Sequence, residues 1–358
     1  MTTRGSKIYV RTLSEEEFDR WNTLVEDSPH GTVFHNTIWL STCDKLFPGN
    51  YEIWGCYQSR DGELIGGCPL RVHKTGIFKK ASGFLWRTMT FYNGVVIKTL
   101  PEQTKTRRVE AFYRRVIHSL TEAFEKEKIC YAKLYNSPGL VDVRPFVSAG
   151  WRSEVVYTYY LLLNKLNPEE AFSRDIRRCI SRASEAGMKL EKSKNAEEYF
   201  DLYKQMLLRQ HSRSLSQVET LRRFLNTIIP RIYKERLGEM WLLKTNSGEA
   251  VSGEIILFDS KRAYSWSAAN NPVFFDSGAP SYLKLKLIEE YLGRFVEIDL
   301  IGANTPSIAH FKAGFGPKLV PHYAVEKSSS TYRGLSDIYH VLYWRFYKPL
   351  IKRMNVLL

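Results

Sequence analysis

The sequence predicts an α/β fold made of two copies of one unit of about 160 residues, a normal size for a domain. Three segments recur in the same order in the two halves of the 358-residue chain. Each half contains a strand followed by a capped helix, then a hairpin, and then a helix followed by a strand. Any one of these patterns is common, but three in the same order indicate an internal duplication.

The first repeated segment is a short strand followed by a helix whose start carries a capping box. Near the N-terminus, KIYVRTLSEEEFDRW places Ser14 at the cap position and Glu17 three residues later. In the second half, KLEKSKNAEEYFDLY places Asn195 and Glu198 at the same spacing. A Ser or Asn side chain at the cap accepts a hydrogen bond from a helix amide, and the acid three residues later accepts one in return. We therefore expect helices to begin after Ser14 and after Asn195.

The second repeated segment is a β-hairpin. In YEIWGCYQSRDGELIGGCPL the pair Asp61-Gly62 separates two apolar strands, and in EMWLLKTNSGEAVSGEIILF the pair Ser247-Gly248 does the same. Glycine adopts the backbone angles that tight hairpin turns require. Both segments are therefore predicted to form two antiparallel strands joined by a short turn.

The third repeated segment is a helix followed by a strand. Residues 106–127 place apolar side chains three and four positions apart, which is the spacing of a buried helix face, and the strand ICYAKLY follows. SYLKLKLIEEYLGRF and VEIDLIGA repeat this order in the second half. The duplication divides the chain into residues 1–155, residues 156–328 and a tail of residues 329–358. The tail is aromatic and basic, and it either packs back on the body or lies on a membrane surface.

The charge balance indicates an anionic partner. Lys and Arg number 52 against 38 Asp and Glu, so the formal net charge is +14. A nucleic acid, a phosphate-bearing substrate or the inner membrane face would suit this excess of base. The hydrophobic share of 44% and the charged share of 25% are ordinary for globular proteins, which excludes wholesale disorder.

The cysteines and the missing motifs exclude several kinds of chemistry. None of the five cysteines forms a Cys-x-x-Cys pair, so we expect neither a metal site nor disulfides. Unpaired cysteines are typical of a protein in a reducing compartment. The N-terminus has no apolar signal sequence, and no stretch of about 18 apolar residues occurs, so we expect a cytoplasmic protein. The sequence lacks a P-loop, a His-Glu-x-x-His motif and a Gly-x-Gly-x-x-Gly fingerprint, which argues against NTPase, zincin and Rossmann functions.

Four motifs carry a resemblance to a known family. They are HGTVFHNTIWL (30–40), DVRPFVSAGWRSEVVYTYYLLL (142–163), RDIRRCISRASEAGMKLE (174–191) and HFKAGFGPK (310–318). The order strand, helix, hairpin, helix, strand resembles the GNAT acyltransferase fold, and two such units in tandem resemble the FemABX family. The resemblance extends to the related BioF2-like acetyltransferases and covers nearly the whole chain. It implies two tandem GNAT-like domains, each with a mixed central sheet flanked by helices, and an acyltransferase activity.

A basic helix is predicted just after the boundary between the halves. Asn167 and Pro168 form a helix start, and Gly187 marks its end. Four arginines gather on one side of this helix, namely Arg174, Arg177, Arg178 and Arg182. A guanidinium group can donate two parallel hydrogen bonds to the oxygens of one phosphate, so this face is a candidate phosphate site. The alternative is a solvated basic face with local salt bridges.

The closing motif contains the first candidate for catalysis. Acyl transfer to an amine passes through a tetrahedral oxyanion, which a fixed cation stabilises. The resemblance implies this role for Lys312. Phe311 is a candidate either for contact with the substrate or for the core. The alternative is that Lys312 is an ordinary surface lysine whose ammonium lies in solvent.

Further candidates lie at the end of a strand, in the second half and in the N-terminal motif. Asp299 follows a buried strand, where α/β proteins often carry functional residues. Asp299 either orients or deprotonates the incoming amine, or it is a buried structural carboxylate. The remaining candidates for substrate binding are Asn304, Tyr264, Trp266, Trp39 and Lys45. The resemblance implies a phosphate-binding lysine near the position of Lys45, whereas Tyr264 and Trp266 are candidates either for the groove or for the core.

The donor follows from the turn at which GNAT enzymes bind the pyrophosphate of CoA. GNAT enzymes hold it on a turn with spaced glycines that opens a helix. The corresponding segment here, DSGAPSYLKLK (276–286), lacks those glycines and the leading basic residue, and the first-half segment LPEQTKTRRVEAF has no glycine. This favours aminoacyl-tRNA, the donor that the resemblance implies, and the acceptor would be an amine of a peptidoglycan or other cell-envelope precursor.

Two alternatives remain open. One is an acyl-CoA-dependent N-acyltransferase acting on a surface-glycan sugar amine or a small amine. The other is a non-catalytic protein whose basic face binds RNA or a membrane, with the steep salt dependence typical of such binding.

Overall fold

The computed structural model describes residues 7–46, 50–60, 62–82, 89–210 and 215–342. The strands in these ranges are Tyr9–Thr12 (β1), Asn50–Tyr57 (β2), Leu64–Thr75 (β3), Phe78–Ser82 (β4), Val96–Ile97 (β5), Tyr131–Tyr135 (β6), Arg152–Leu162 (β7), Lys189–Lys192 (β8), Gly238–Lys244 (β9), Ala250–Phe258 (β10), Ala263–Asn270 (β11), Glu297–Asp299 (β12) and Lys318–Ser328 (β13). The helices are Phe18–Asp27 (α1), Thr37–Leu46 (α2), Thr106–Lys126 (α3), Arg144–Ser148 (α4), Pro168–Ala171 (α5), Arg174–Glu185 (α6), Ala196–Gln210 (α7), Leu215–Lys234 (α8), Ala279–Tyr291 (α9), Pro306–Ala313 (α10) and Ser330–Leu342 (α11).

The strands form one mixed sheet whose order is nearly symmetric. The order is β1-β2-β3-β4-β6-β13-β7-β12-β11-β10-β9-β8, with β5 paired to β3. Each half contributes an antiparallel meander of four strands, β1 to β4 and β8 to β11, followed by a parallel neighbour, β6 or β12. This arrangement confirms the predicted α/β fold and its internal duplication.

The two halves exchange the strands that end them. β7 follows the first half in sequence but pairs with β12, whereas β13 ends the second half and pairs with β6. β7 and β13 also pair with each other along their length in antiparallel register. The boundary predicted between residues 155 and 156 therefore falls inside β7, and the halves share a continuous sheet.

The predicted helix starts and the second hairpin turn are confirmed. The amide of Ser14 donates to the Glu17 carboxylate at 3.1 Å, and a single turn of 3-10 helix leads from this capping box into α1. Asn195 Oδ1 accepts a hydrogen bond from the amide of Glu197 at 3.2 Å, at the start of α7. The turn between β9 and β10 places Gly248 at a φ of +87°, which a residue with a side chain rarely adopts. Asp61 of the first predicted turn lies outside the described residues.

The basic helix differs from its prediction. Residues 168–185 form two helices, α5 and α6, because the chain turns inward at Phe172 and Ser173. Phe172 is buried and packs its ring 5.2 Å from that of Phe315. Ser173 is the N-cap of α6, its hydroxyl accepting from the amide of Ile176. The sequence signal at Asn167 and Pro168 therefore starts a single short turn, and the arginines belong to a second helix with its own cap.

The two halves share a core. Phe34, in the segment before α2, packs 5.5 Å from Tyr264 on β11, and Trp39 packs 5.2 Å from Trp266 on the same strand. α2 and the 33–40 segment belong to one apolar cluster with α7, α8 and strands β9 to β11. Residues of the first half thus complete the hydrophobic face of the second.

The tail begins with α11, which contacts the first half through Tyr332. The ring of Tyr332 lies 5.3 Å from that of Phe78 on β4 and 5.3 Å from that of Tyr131 on β6. The remainder of the predicted tail, residues 343–358, lies outside the described residues. Within the described ranges, no helix combines the length and the apolar character that crossing a membrane requires.

Candidate functional site

A cleft of about 1060 Å³ opens in the second half, between α6, α9, α10 and the strands β10 and β11. Most of its wall is apolar, formed by Phe91, Ile176, Met206, Trp266, Phe275, Leu283, Ile301, Ile308 and Phe311. Its acidic and basic lining residues are Asp175, Glu254, Lys284, His310 and Lys312. A largely apolar pocket with a few convergent polar groups is the usual form of a substrate site.

Lys312 projects into this cleft from the last turn of α10. Its ammonium donates one hydrogen bond to the carbonyl oxygen of Leu300 at 2.6 Å and another to that of Ile301. A lysine ammonium has three donors, so one remains for a group in the cleft. Two backbone carbonyls therefore hold the ammonium in a defined position, and Lys312 is not the freely solvated surface lysine of the alternative prediction.

The backbone that holds Lys312 is strained. Ile301 adopts a φ of +49° and Gly302 a φ of +70°. Positive φ is ordinary for glycine but rare for a β-branched residue, and it costs about 1 to 3 kcal/mol where it occurs. Such strain persists only where the surrounding structure enforces it, and it is concentrated at functional sites.

Burial makes the Lys312 ammonium a weaker base than an ordinary lysine. Its pKa is lowered to about 8, mainly by desolvation and also by the nearby ammonium of Lys284, against the opposing effects of Glu254 and Asp299. The group is still mainly protonated at neutral pH. Its proton is nevertheless more acidic than that of a solvated lysine, which strengthens the hydrogen bond that it can donate to a developing negative charge.

This pKa gives the unfolding free energy a pH dependence of defined sign. The pKa of Lys312 is 10.5 in the unfolded chain and about 8 in the folded protein. Between these values the unfolded chain binds more protons, so stability rises with pH. We expect the unfolding free energy of the wild type, minus that of Lys312→Met, to increase by about 3 kcal/mol from pH 8 to pH 10.5. Urea unfolding at a series of pH values measures this difference, and a flat profile would contradict it.

A buried polar trio lies on the wall of the same cleft. The Lys284 ammonium on α9 donates to Glu254 Oε1 on β10 at 2.5 Å and to the hydroxyl of Ser265 on β11 at 3.0 Å. The Ser265 hydroxyl in turn donates to the Glu254 carboxylate. Both charged side chains are nearly inaccessible to solvent, at 7% and 2% exposure. The cleft therefore carries two lysines, one of which is neutralised by a carboxylate.

Sequence reasoning missed this trio, although one signal was present. Glu254 is the single charged residue in the otherwise apolar or small run of residues 250–258. A lone carboxylate within a buried strand needs a partner, which identifies the strand as the carrier of a polar site. Nothing in the sequence near Lys284 distinguishes it from Lys286, which is two residues away and pairs with Glu289 instead.

The turn that opens α9 packs against α6 on one side, while Gly278, Pro280 and Ser281 line the cleft on the other. Gly278 has a φ of +80°, and a Cβ atom at this position would lie 2.0 Å from the carbonyl oxygen of Cys179 on α6. The Arg182 side chain of α6 also donates to the carbonyl oxygen of Asp276. The basic helix is therefore packed directly against this turn.

The amides of this turn already have partners within the chain. The Gly278 amide donates to the carbonyl oxygen of Phe275, that of Ala279 to the Ser277 hydroxyl, and that of Ser281 to the carbonyl oxygen of Gly278. Position 280 is proline, which has no amide hydrogen. These are the groups with which a helix start would bind a pyrophosphate.

Comparison with known proteins identifies the fold. Residues 170–313, about two fifths of the chain, match the family model described as "Acetyltransferase (GNAT) domain". The chain is similar in structure to FemX, with a TM-score of 0.65, 14% sequence identity, and coverage of 88% of this chain and 96% of that one. The chain has the FemX-like tandem GNAT fold. The GNAT domain match makes it an acyltransferase.

Two further solved structures have the same fold. L-PGS from Bacillus licheniformis has a TM-score of 0.54 and 13% identity, with coverage of 88% of this chain and 93% of that one. A tandem GNAT protein from the clavulanic acid biosynthesis pathway has a TM-score of 0.52 and 12% identity, with coverage of 89% and 98%. No curated protein sequence matches the chain significantly. At these identities the three structures establish the tandem GNAT fold and not a shared substrate.

Three of the predicted residues meet at the cleft of this tandem GNAT protein. Lys312, Phe311 and Trp266 all line it. The Trp266 indole donates to the carbonyl oxygen of Met89 at 2.9 Å, which holds its ring between the two halves. The cleft thus combines the predicted cation with two of the predicted aromatic side chains.

The other predicted substrate contacts have different surroundings. Trp39 is fully buried and donates to Thr90, and the Tyr264 hydroxyl donates to Asp259 at 2.7 Å, so both belong to the core. The Asn304 side chain makes two hydrogen bonds to the backbone of Tyr157 and fastens its loop to β7. Lys45 is exposed in the last turn of α2 and does not line the cleft. The structure therefore does not bring these four residues to the site.

The four arginines are exposed on α6, as predicted, but the described residues that line the cleft include none of them. Arg178 forms a long ion pair of 3.9 Å with Asp175, and Arg177 borders a separate pocket of about 320 Å³ on the outer side of the helix. Among the described residues there is also no group of three side chains that could hold a metal ion.

Asp299 has a structural position. It is fully buried, and its oxygens accept hydrogen bonds from the Tyr92 hydroxyl at 2.6 Å, the Thr158 hydroxyl at 2.5 Å and the Ile301 amide at 2.9 Å. Burial raises its pKa, while these donors oppose the rise. The assignment of Asp299 as a catalytic residue is therefore corrected, because no part of its side chain is open to an incoming amine.

Asp299→Ala separates the two roles. We expect this change to lower the unfolding free energy by about 3 kcal/mol, since it leaves two buried hydroxyls and an amide without their acceptor. Turnover per folded molecule should fall less than about tenfold, whereas loss of a general base costs about 10²- to 10⁴-fold. Urea unfolding and steady-state rates measure both quantities. A folded variant with less than a hundredth of wild-type turnover would return Asp299 to the catalytic machinery.

Proposed function

We propose that this protein transfers an aminoacyl group from aminoacyl-tRNA to an amine of a peptidoglycan or other cell-envelope precursor. The choice of donor rests on the turn before α9, which offers few free backbone amides for a pyrophosphate. Its amides are bonded within the chain, and the backbone of α6 packs against Gly278. This favours a donor that does not need a CoA pyrophosphate site, and an ester of tRNA is such a donor.

The main requirement of this reaction is that the negative charge on the oxygen of the tetrahedral intermediate be stabilised. The acceptor amine attacks the carbonyl carbon of the aminoacyl ester, forming a C–N bond and a tetrahedral oxyanion. Collapse of this intermediate breaks the C–O bond to the tRNA ribose, and the proton lost by the amine ends on the ribose oxygen. The third donor of the Lys312 ammonium is available for the oxyanion. This role needs no metal and no bound cofactor.

The arginine face of α6 suits the phosphates of such substrates. Arg174, Arg177, Arg178 and Arg182 are exposed on a helix that borders the cleft on its other side. A tRNA and a nucleotide- or lipid-linked precursor both carry phosphates, which guanidinium groups bind well. A lipid-linked precursor would also require peripheral contact with the inner membrane face.

Replacing Arg177 and Arg178 by Ala tests this surface. We expect KM for the polyanionic substrate to rise about tenfold and the salt dependence of binding to weaken, with kcat little changed. The matched control is Arg107→Ala with Arg108→Ala, which removes the same charge from the start of α3 in the first half. Equal effects of the two double variants would mean that only the net charge matters.

An acyl-CoA-dependent N-acyltransferase is the second candidate. It is favoured by the GNAT domain match over residues 170–313 and by the largely apolar cleft wall, which would accept an acyl chain. In this case the C–S bond of the thioester breaks, and the acceptor would be a surface-glycan sugar amine or a small amine. Lys312 would stabilise the same oxyanion.

One experiment separates the two donors. The purified protein is incubated with cell-envelope precursors and either labelled aminoacyl-tRNA or labelled acetyl-CoA, and the product is identified by mass. We expect transfer from aminoacyl-tRNA and none from acetyl-CoA, with Lys312→Met as the negative control. Transfer from acetyl-CoA alone, together with micromolar binding of acetyl-CoA in calorimetry, would establish the second candidate instead.

A further inference from the structure

The hairpin between β3 and β4 ends in an exposed apolar side chain. Thr75 pairs with Phe78, so that Gly76 and Ile77 alone form the turn, with Gly76 at a φ of +59°. Ile77 is 89% exposed, the highest value among the large exposed hydrophobic residues of the described chain. An isoleucine at a hairpin tip gains nothing from folding, since the turn itself needs only the glycine. The Ile77 side chain is therefore available to contact a partner outside the chain.

α11, which contacts the hairpin through Tyr332, carries two more exposed apolar side chains. Tyr332 packs against Phe78, and Lys80 lies over the Tyr332 ring at 4.8 Å. Leu335 and Ile338 are then 49% and 57% exposed on the next turns of this helix. The described part of this helix therefore leaves the apolar side chains of Leu335 and Ile338 partly uncovered.

Basic side chains occur on the hairpin, at the end of α3 and on α11. Lys79 pairs with Glu127 at 2.7 Å, which brings the end of α3 beside the hairpin. We use the name basic tip for the hairpin, the end of α3, the end of β13 and α11, which contact one another. Its exposed apolar residues are Ile77, Leu335 and Ile338, and its basic residues are Lys74, Lys79, Lys80, Lys126, Lys128, Lys327 and Arg333. Its acidic residues are Glu125, Glu127 and Asp337. Glu127 pairs with Lys79 and Glu125 pairs with Lys327, which leaves five basic residues against the single acid Asp337 on this surface.

The sequence on both sides of the basic tip has the same charge bias. No acidic residue occurs between Glu63 and Glu102, a stretch that includes the whole hairpin. Residues 343–358, which follow α11, contain four Lys and Arg and no Asp or Glu. Exposed apolar side chains within a positive field match an anionic bilayer, where the apolar groups enter the headgroup layer and each lysine is attracted to acidic lipid.

We propose that the basic tip docks this protein on an anionic lipid bilayer, with Ile77 inserted among the headgroups. This proposal rests on the proposed function in one respect, because docking would bring the protein to a lipid-linked acceptor. It does not depend on which acyl donor is used. A docked protein would meet its acceptor in two dimensions, which raises the effective concentration of the acceptor at the membrane.

Cosedimentation with vesicles tests the proposal in the full-length protein. We expect binding to vesicles of equal parts phosphatidylglycerol and phosphatidylcholine, weakening with added salt, and no binding to pure phosphatidylcholine. Ile77→Ser should reduce the bound fraction about fivefold or more. The matched control is Val273→Ser, because Val273 is 83% exposed but follows β11, which lies five strands across the sheet from β4. Circular dichroism checks that both variants are folded.

Several outcomes would overturn the docking. Absence of wild-type binding to the anionic vesicles is one, and equal losses for Ile77→Ser and Val273→Ser are another. If Lys352→Ser with Arg353→Ser abolishes binding while Ile77→Ser retains it, the terminal segment carries the contact and the basic tip does not. If Ile77→Ser weakens binding of tRNA but not of vesicles, the surface binds RNA.

Failure of this proposal is distinguishable from failure of the proposed function. The vesicle measurement contains neither donor nor acceptor, so its result does not depend on catalysis. Conversely, Ile77→Ser should transfer the acyl group to a water-soluble acceptor at the wild-type rate. Loss of that activity would mean that Ile77 supports the fold or the cleft, which also contradicts docking as its role.

Discussion

Lys312→Met is expected to lower kcat for acyl transfer by about 100- to 1000-fold, the usual cost of removing one donor to an oxyanion. The side chain of Met is similar in length but carries no charge and no donor. Because the oxyanion exists only near the transition state, KM should change little. Steady-state kinetics with the donor identified by mass analysis measures both constants.

The control for this variant is Lys318→Met. Lys318 is exposed at the start of β13, six residues from Lys312 and outside the cleft lining, so its loss should leave kcat within about twofold of wild type. Urea unfolding verifies that both variants are folded at the assay temperature. A folded Lys312→Met protein with full turnover would remove Lys312 from the mechanism.

Breaking the buried trio is expected to have the largest effect on stability. Lys284→Met leaves the Glu254 carboxylate buried with only the Ser265 hydroxyl, and Glu254→Leu leaves the ammonium of Lys284 without its counter-ion. Each single change should lower the unfolding free energy by about 3 to 5 kcal/mol. The double variant, Glu254→Leu with Lys284→Met, should recover most of this loss, because it removes both charges and replaces them with apolar groups of similar size.

The matched control for the trio lies on the same helix. Lys286→Met removes a lysine two residues from Lys284 that is partly exposed and paired with Glu289, so it should change stability by less than about 1 kcal/mol. Urea unfolding of the four variants completes the comparison. If the double variant is as unstable as the worse single variant, the trio is not an isolated ion pair but part of a larger network. The rate of acyl transfer by the folded double variant also shows whether the reaction requires the charges of Glu254 and Lys284.

The sequence predicted the elements whose signals are local. The capping box at Ser14 and the cap at Asn195 lie where the helices begin, and Gly248 forms its predicted turn. These signals depend on hydrogen bonds and backbone angles within a few residues, so they can be recognised without knowledge of the fold. The three repeated segments are also local patterns, and their strands occupy matching positions in the two halves of the sheet.

Long-range packing decided the features that the sequence did not predict. The exchange of β7 and β13 depends on strand pairing between residues more than 150 positions apart, and no local pattern distinguishes it from two separate sheets. The helix break at Phe172 arises because this ring packs on Phe315, near the end of the second half. Asn167 and Pro168 are a correct helix start, but this tertiary contact ends the helix after one turn.

The sequence by itself determined the duplicated α/β architecture, the helix caps and turns, and Lys312 as the leading candidate in its closing motif. Only the tertiary structure decided which charged groups are buried together. It joined Glu254, Ser265 and Lys284 beside Lys312, and it enclosed Asp299 away from the cleft. The physical reason is that a charge acquires its chemical role from desolvation and from its neighbours, and both come from elements that are distant in the chain.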